Sequence, residues 1–359
     1  MPTDSLHALL EALDLTQLDH DCYEGTSVER ARPRMFGGEL LAQTLVAASR
    51  TAADRACHSL HVHFLAPGKP ASPMVYRVRR VRDGRRFAQR QVSARQGGRE
   101  VLLATGSFTA EAPASRAYQH EPMPQVEGPE GLASELSQRQ AVAALLPPQD
   151  RPWLLMPRAV EIRQVRPVPL IDPAPVPPVA HTWLKAVGAL PNDPALHCAV
   201  LAYASDATLL DIACYPDGMS WIDPRVQQAS LDHAMWFHHS FRIDEWLLYA
   251  QVVPSVAAGR AFARGSVFNR NGALVASVAQ EGLFELRCAP GVRRPGAGRG
   301  KLAAAATITG RIRAPVLTLW QPEEPMKGPQ PDRPRGSDLQ RDTIPFVPWN
   351  SAGLYVPPS

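Results

Sequence analysis

The feature that most constrains this chain is an internal repeat, in which the segment around residues 60–108 returns, altered, around 233–284. A phenylalanine precedes a tyrosine by twelve residues in both copies: Phe64 and Tyr76, then Phe237 and Tyr249. An arginine precedes a glycine turn by eight residues in both copies: Arg90 and Gly98, then Arg264 and Gly272. Self-similarity of this kind predicts two related folded units in tandem.

The two copies differ at one chemically important position. Each glycine turn is followed by a strand of small apolar residues, 101–105 in one copy and 275–279 in the other. In that register Gly106 of the first copy corresponds to Gln280 of the second. The alternation of apolar residues around Gln280 predicts an inward side chain. A polar group kept in only one copy indicates that one unit became scaffold and the other retained the chemistry.

Composition places the chain among globular proteins and excludes several function classes. The 359 residues give room for two domains, with 45% hydrophobic and 20% charged residues. A net charge of +4 does not indicate nucleic-acid binding. The five scattered cysteines form no metal-ligand spacing and favour reduced thiols over a disulfide framework. No signal peptide and no window of ~18 apolar residues appears, so we expect a cytoplasmic protein without a membrane span.

Periodicity predicts an α+β fold in which an antiparallel sheet wraps one central helix in each unit. Helices are expected at about 6–13, 36–48, 130–145 and 196–213. Strands are expected at about 60–66, 73–82, 86–96, 100–109, 159–166, 180–186, 230–241, 244–255, 259–269 and 273–285. The Gly97-Gly98 and Asn271-Gly272 pairs predict hairpin turns.

We therefore divide the chain into four segments. Residues 1–112 form the N-terminal unit, 113–155 a Pro-rich connector, and 156–288 the C-terminal unit with the candidate catalytic residues. Residues 289–359 are rich in Pro, Gly and Arg, with little apolar periodicity. Such a segment cannot bury enough apolar surface to offset its ordering entropy, so we predict that it is disordered.

Six separated motifs, in order, resemble those of the bacterial acyl-CoA thioesterase II family, over roughly residues 20–287. They are Phe36-Gly37-Gly38, the strand 58–67, Leu201-Ala202-Tyr203-Ala204-Ser205-Asp206, residues 231–238, Glu245-Trp246-Leu247-Leu248-Tyr249 and residues 277–282. The resemblance implies a double hotdog, two fused hotdog units, which agrees with the repeat. It also implies hydrolysis of fatty acyl-CoA to free acid and coenzyme A, self-association as a homo-oligomer, and no metal or organic cofactor.

The family's catalytic aspartate, hydroxyl residue and glutamine correspond here to Asp206, Ser230 and Gln280. Many members carry threonine where this chain has Ser230. Serine keeps the hydroxyl, but without β-branching its χ1 angle is less restricted. Asp206, expected near the start of a helix, would act on water together with the other two side chains. Backbone N–H groups at a helix start are candidates for stabilising the oxyanion.

Further substrate contacts are expected from a wider set of residues. The glycine pair of the second helix and three residues of the paired strands are candidates: Gly37, Gly38, His58, Trp236 and His238. Seven arginines on two strands favour a solvated face, with phosphate contact as the alternative: Arg77, Arg79, Arg80, Arg82, Arg85, Arg86 and Arg90. The chain departs from the family at His239 and at Lys185, where arginine is common.

Three other readings of these residues stay open. Ser230 with His233 and Asp232 would form a serine-hydrolase triad, but adjacent strand residues face opposite ways and no Gly-x-Ser-x-Gly elbow is present. A hotdog enoyl-CoA hydratase or dehydratase would need a histidine suitably placed on the helix of Asp206. A non-catalytic acyl-CoA-binding protein would keep the fold and show saturable binding without turnover.

Overall fold

The computed structural model describes residues 2–28, 34–52, 54–110, 117–148 and 151–287. The segment 289–359, predicted to be disordered, lies outside the described residues, as does part of the connector. Within the described part of the chain, no helix is long and apolar enough to cross a bilayer.

The central helix and the strands follow a similar order in the two halves. The helix α1 precedes the first half, and a linking region separates the halves. The first half holds α1 (Pro2–Leu13), β1 (Thr16–Asp19), β2 (Cys22–Gly25), α2 (Gly37–Arg50), β3 (Ala56–Phe64), β4 (Met74–Asp83), β5 (Phe87–Gln96) and β6 (Arg99–Thr109). Two short helices follow, α3 (Glu135–Val142) and α4 (Arg151–Leu154). The second half holds β7 (Val160–Gln164), β8 (Val179–Ala186), α5 (Pro194–Ser205), β9 (Val226–Ser230), β10 (Asp232–Phe237), β11 (Leu247–Ala257), β12 (Arg260–Asn269) and β13 (Leu274–Leu286).

The strands form one continuous antiparallel sheet that runs through both halves. Its order is β1-β2-β4-β5-β6-β3-β10-β13-β12-β11-β8-β7, with β9 paired to β13. The halves join where β10 pairs with β3, from Asp232 opposite His63 to Trp236 opposite Ser59. Each half curls around its own buried helix, α2 or α5. The fold is a double hotdog.

The repeated tyrosines perform the same structural task in both halves. Tyr76 on β4 is fully buried and donates a hydrogen bond to Gln43 Oε1 of α2, at 2.6 Å. Tyr249 on β11 is fully buried and donates to the Ser205 carbonyl at the end of α5, at 3.2 Å. A buried hydroxyl needs a partner, so each tyrosine ties the sheet to the helix of its own half.

The two central helices touch through a glycine. A Cβ on Gly38 would lie 2.3 Å from the Tyr203 carbonyl oxygen and 2.5 Å from the Phe36 ring. These distances are below any van der Waals contact, so only glycine allows α2 to approach α5 this closely. Gly97, Gly98 and Gly272 have positive φ, which confirms the two predicted hairpin turns.

The structure differs from the sequence-based predictions in several elements. The helix predicted over 196–213 ends at Ser205, and a 3₁₀ helix (Asp211–Asp217) follows. The strand predicted over 230–241 is interrupted at Leu231 and ends at Phe237. The β1–β2 hairpin was not predicted, because its strands of four residues are too short to show alternation.

A further correction concerns Arg90, which is buried and not on a solvated basic face. It is 1% exposed and donates hydrogen bonds to Asp83, to the Thr51 hydroxyl and to the Thr51 carbonyl. The other six arginines of the set are exposed, as predicted. A buried guanidinium is tolerated only when its donors are satisfied, and here several of them are.

Gly38→Ala should destabilise the protein even though alanine is the better helix former. Alanine gains ~1 kcal/mol of helix propensity, whereas overlap with a backbone carbonyl cannot be relieved by a rotamer change and costs more. We expect a net loss of ~1–3 kcal/mol in the free energy of unfolding, measured in urea. Gly131→Ala is the control, because its Cβ would meet nothing closer than 3.5 Å; equal effects at the two positions would contradict the role of the helix contact.

Candidate active site

Asp206, Ser230 and Gln280, which lie far apart in the sequence, meet in one hydrogen-bonded cluster. Gln280 Nε2 donates to Asp206 Oδ1 and to Ser230 Oγ, both at 2.8 Å. Ser230 Oγ donates to the same Asp206 oxygen at 3.3 Å. Gln280 is fully buried on the inward face of β13, as the alternation predicts. The carboxylate thus has an amide and a hydroxyl on one oxygen.

Asp206 stands at the end of a helix and not near the start of one, which corrects the sequence-based prediction. It is the C-cap of α5, where the dipole of its own helix disfavours a negative charge. The first residue of α2, Gly37, compensates: its Cβ would lie 2.7 Å from Asp206 Oδ2. The carboxylate therefore faces the N-terminus of the other helix, whose dipole favours a negative charge.

A β-bulge brings Ser230 and His233 to the same face of the sheet. Ser230 pairs with Gly282 and Ala234 with Ala279, so three residues on one strand oppose two on the other. An unbroken strand would point side chains three positions apart in opposite directions. The extra residue reverses the parity after Ser230, as bulges beside functional sites often do.

His233 is fully buried beside the cluster, but it does not contact Ser230 in the described structure. Its Nε2 lies 3.0 Å from Ser205 Oγ and its Nδ1 lies 3.9 Å from Asp206 Oδ1. Burial lowers the pKa of His233, and Asp206 and Gln280 oppose that shift. Asp232 points the other way and accepts the Glu281 N–H at 2.7 Å. This geometry does not form a serine-hydrolase triad.

A cavity of about 730 Å³ opens beside the cluster and is bounded by both halves of the fold. Its lining includes apolar side chains, among them Met35, Phe36, Leu40, Phe64, Leu65 and Leu210. It also includes polar and charged side chains, among them Arg34, Arg158, Asp211, Gln227, Gln228 and Arg287. Asp206, Ser230 and Gly37 belong to the same lining. The cavity can therefore hold a molecule with an apolar part and a polar, anionic part.

The candidate substrate contacts do not all lie at this cavity. Gly37 lines it, whereas Gly38 packs against α5. His58 packs edge-on against Phe87 and is not among the lining residues. Trp236 packs against His61 on the outer face of the sheet, and His238 Nε2 lies 2.9 Å from Ser277 Oγ.

The two departures from the family pattern, Lys185 and His239, are also absent from the residues that line the cavity. The Lys185 ammonium lies 5.3 Å from the Trp246 ring centre. Among the described residues, no group of three or more His, Cys, Asp or Glu side chains is arranged to hold a metal ion.

The arginines of the cavity lining could not be predicted from the sequence, because they come from separate segments. Arg34 precedes α2, Arg158 precedes β7, and Arg287 follows β13. Gln228 could have been found from β9, because it lies two residues before Ser230 and so points to the same face. Its Nε2 donates to Asp211 Oδ1 at 2.9 Å.

Two family models match the chain in tandem, in the positions of the two halves. The model described as "Acyl-CoA thioesterase N-terminal domain" matches residues 28–109, and the one described as "Acyl-CoA thioesterase" matches residues 166–283. The chain is 32% identical over 284 residues to acyl-CoA thioesterase 2 of Haemophilus influenzae, which covers 79% of this chain and 98% of that protein. It is 32% identical over 303 residues to human acyl-coenzyme A thioesterase 8, with 80% and 92% covered.

Solved structures agree with the sequence matches. The acyl-CoA thioesterase II TesB2 from Mycobacterium marinum superposes with a TM-score of 0.61 at 36% identity, over 77% of this chain and 98% of that one. The tesB protein from Mycobacterium avium subspecies paratuberculosis gives 0.63 at 32% identity, over 78% and 99%. With both halves matched and relatives covered almost entirely, this chain belongs to the acyl-CoA thioesterase II family and is a thioester hydrolase of the double hotdog fold.

Proposed function

We propose that this protein hydrolyses fatty acyl-CoA thioesters to a free fatty acid and coenzyme A, using water activated by Asp206, Ser230 and Gln280. The observation that carries the proposal is the hydrogen-bonded cluster of these three side chains at the wall of the cavity. The lining supplies both the apolar side chains and the arginines that an acyl chain and a phosphorylated carrier require.

In this mechanism Asp206 is the general base. Ser230 and Gln280 both occupy Oδ1, which leaves Oδ2 to accept a proton from water. The water oxygen bonds to the thioester carbonyl carbon, and the carbonyl oxygen becomes an oxyanion. The carbon–sulfur bond then breaks, and the proton returns to the thiolate of coenzyme A. A positioned base of this kind contributes ~10²–10⁴-fold to the rate.

The oxyanion would be stabilised at the start of α2. Gly37 lines the cavity and lies against the carboxylate of Asp206, so a carbonyl attacked by water at Oδ2 sits near the first N–H groups of this helix. Those N–H groups have no partner within the helix and carry its positive dipole. Ser230 has no adjacent histidine base, so no covalent acyl-enzyme is part of the proposal.

The phosphates of coenzyme A would bind the arginines that line the cavity, and not the six exposed arginines of β4 and the turn that follows it. Arg34, Arg158 and Arg287 line the cavity. Arg158 contacts Glu135 at 3.3 Å, and Arg287 donates to Gln227 Oε1 at 3.0 Å. Guanidinium groups bind phosphate through paired, charge-assisted hydrogen bonds. The cytoplasmic location and the homo-oligomeric state expected from the sequence are retained as further proposals.

Asp206→Asn should lower the release of free thiol from a panel of acyl-CoAs by ~10²-fold or more, because asparagine cannot accept the proton from water. Asp217→Asn is the control, since Asp217 is exposed and distant from the cavity lining. Undiminished turnover in the folded Asp206 variant would remove this carboxylate from the chemistry. Saturable acyl-CoA binding by wild type, with no turnover at any chain length, would select the non-catalytic binding protein.

Arg287→Gln should raise KM for acyl-CoA by ~10-fold and leave kcat nearly unchanged, because the phosphate contact is equal in ground and transition states. The effect should shrink as salt is added. Arg270→Gln is the control, because Arg270 pairs with Glu130 and does not line the cavity. Equal KM values for wild type and the Arg287 variant at low salt would refute the contact.

Asp211→Asn should stabilise the protein increasingly as pH rises from 5 to 8. Burial raises the pKa of Asp211 from 3.8 to about 7, although Gln228 and Arg158 oppose the shift. Between these pH values the folded state binds more protons than the unfolded state, so the wild type loses stability as pH rises. Asparagine removes this titration, worth roughly 2–3 kcal/mol between pH 5 and 8. A difference in Tm between variant and wild type that does not change with pH would contradict the assignment.

A further inference from the structure

Two buried polar atoms in the active-site cluster have no hydrogen-bond partner among the described residues. They are Nδ1 of His233 and Oε1 of Gln280. Both residues are essentially inaccessible to solvent. Leaving such atoms unpaired costs ~1–3 kcal/mol each, so a native structure rarely does so without a reason.

The orientation of the Gln280 amide is fixed by its partners. Its nitrogen lies 2.8 Å from Asp206 Oδ1, and an ionised carboxylate can only accept. The amide must therefore present its NH₂ group to Asp206 and Ser230, and its oxygen points away from both. That oxygen needs a donor, and neither of the two residues bonded to the nitrogen supplies one.

His233 can supply the donor in only one of its neutral tautomers. With the proton on Nε2, the Nδ1 lone pair would lie 3.9 Å from Asp206 Oδ1, and the Gln280 oxygen would stay unpaired. With the proton on Nδ1, the ring becomes a donor on the side of Gln280 and Asp206. The other nitrogen then accepts from Ser205 Oγ, at 3.0 Å.

The Ser205 hydroxyl can serve either arrangement. Its single proton has three acceptors in reach: the Ala202 carbonyl at 2.9 Å, His233 Nε2 at 3.0 Å and the weakly accepting Met235 sulfur at 3.5 Å. The tautomer of His233 is therefore decided at Nδ1, by the acceptor oxygens of Asp206 and Gln280. With the proton on Nε2, a ring lone pair faces a carboxylate oxygen in a buried site and the amide oxygen stays unpaired, which is the costlier arrangement.

We propose that His233 carries its proton on Nδ1 and is a positioning residue, which donates to Gln280 Oε1 and so holds the amide in its productive orientation. The chain of hydrogen bonds then runs from Ser205 through His233 and Gln280 to Asp206 and Ser230, with every donor matched to an acceptor. Without the imidazole, the amide can turn by 180° and present its oxygen to the carboxylate. This inference rests on the proposed function for its kinetic consequence, but not for its structural one.

The tautomer can be observed directly by NMR of the full chain with ¹⁵N-labelled histidine, using long-range proton–nitrogen correlations. His197 is an internal reference, because it is also buried and its Nδ1 accepts the Ile243 N–H at 3.2 Å. The proton of neutral His197 therefore lies on Nε2. We expect opposite tautomers for the two rings, assigned from the His233→Asn and His197→Asn spectra. A proton on Nε2 of His233 would overturn the proposal whatever the enzyme's activity.

The kinetic role of His233 is tested with two variants, one that keeps a hydrogen-bond donor and one that removes it. The Asn side-chain amide can place a donor where Nδ1 stands, so His233→Asn should stay within ~10-fold of wild-type kcat. His233→Leu offers no donor and should lose ~10²-fold or more, with KM nearly unchanged. His197→Asn controls for the loss of a buried histidine. Equal losses in His233→Asn and His233→Leu, or none in either, would overturn the positioning role.

Failure of the proposed function is distinguishable from failure of this inference. A wild-type protein that hydrolyses no acyl-CoA would refute the thioesterase chemistry, and the tautomer of His233 would still be read from its spectrum. If His233→Leu does not fold, the wild-type tautomer and the His233→Asn rate decide the question.

Discussion

The close approach of the two central helices is the constraint on which the rest of this structure depends. Gly37 and Gly38 let the start of α2 meet the end of α5 at a separation that no side chain permits. The contact brings a carboxylate from one helix to the positive end of the other. The helix contact also explains why both halves line the cavity: Gly37 of α2 and Asp206 at the end of α5 are both lining residues. A single hotdog unit has neither the opposing dipole nor the second wall.

The two halves share a fold and a buried tyrosine, but they differ in the polar residues of their paired strands. Tyr76 and Tyr249 still anchor their respective helices. In the first half, the strand pair β5–β6 places the buried Arg90 opposite Gly106, where the guanidinium ties the strand to the end of α2. In the second half, Gln280 lies opposite Ala263 and reaches the carboxylate. Corresponding strand pairs thus have different roles: β5–β6 holds a structural arginine, whereas β12–β13 holds a glutamine of the active-site cluster.

Much of this could be predicted from sequence, because repeats, periodicity and turn glycines are local signals. The inward side chain of Gln280 followed from strand alternation, and its meeting with Asp206 and Ser230 followed from the resemblance to a family. What failed had non-local causes. The predicted helix 196–213 runs past Asp206, because no glycine or proline ends the apolar pattern between residues 206 and 213. The bulge at Leu231 depends on pairing with β13, and the burial of Arg90 depends on Asp83 and Thr51, so neither is visible in a local window.

The junction between β3 and β10 has a consequence for how the chain is made. β3 is completed at Phe64, but its outer partner, β10, is synthesised roughly 170 residues later. At ~5–20 residues per second, the edge of β3 waits on the order of ten seconds or more on the ribosome without its partner. An unpaired strand edge is a template for unwanted association. His61 and His63, which alternate with the buried Leu60 and Val62, make one face of that edge polar during the wait.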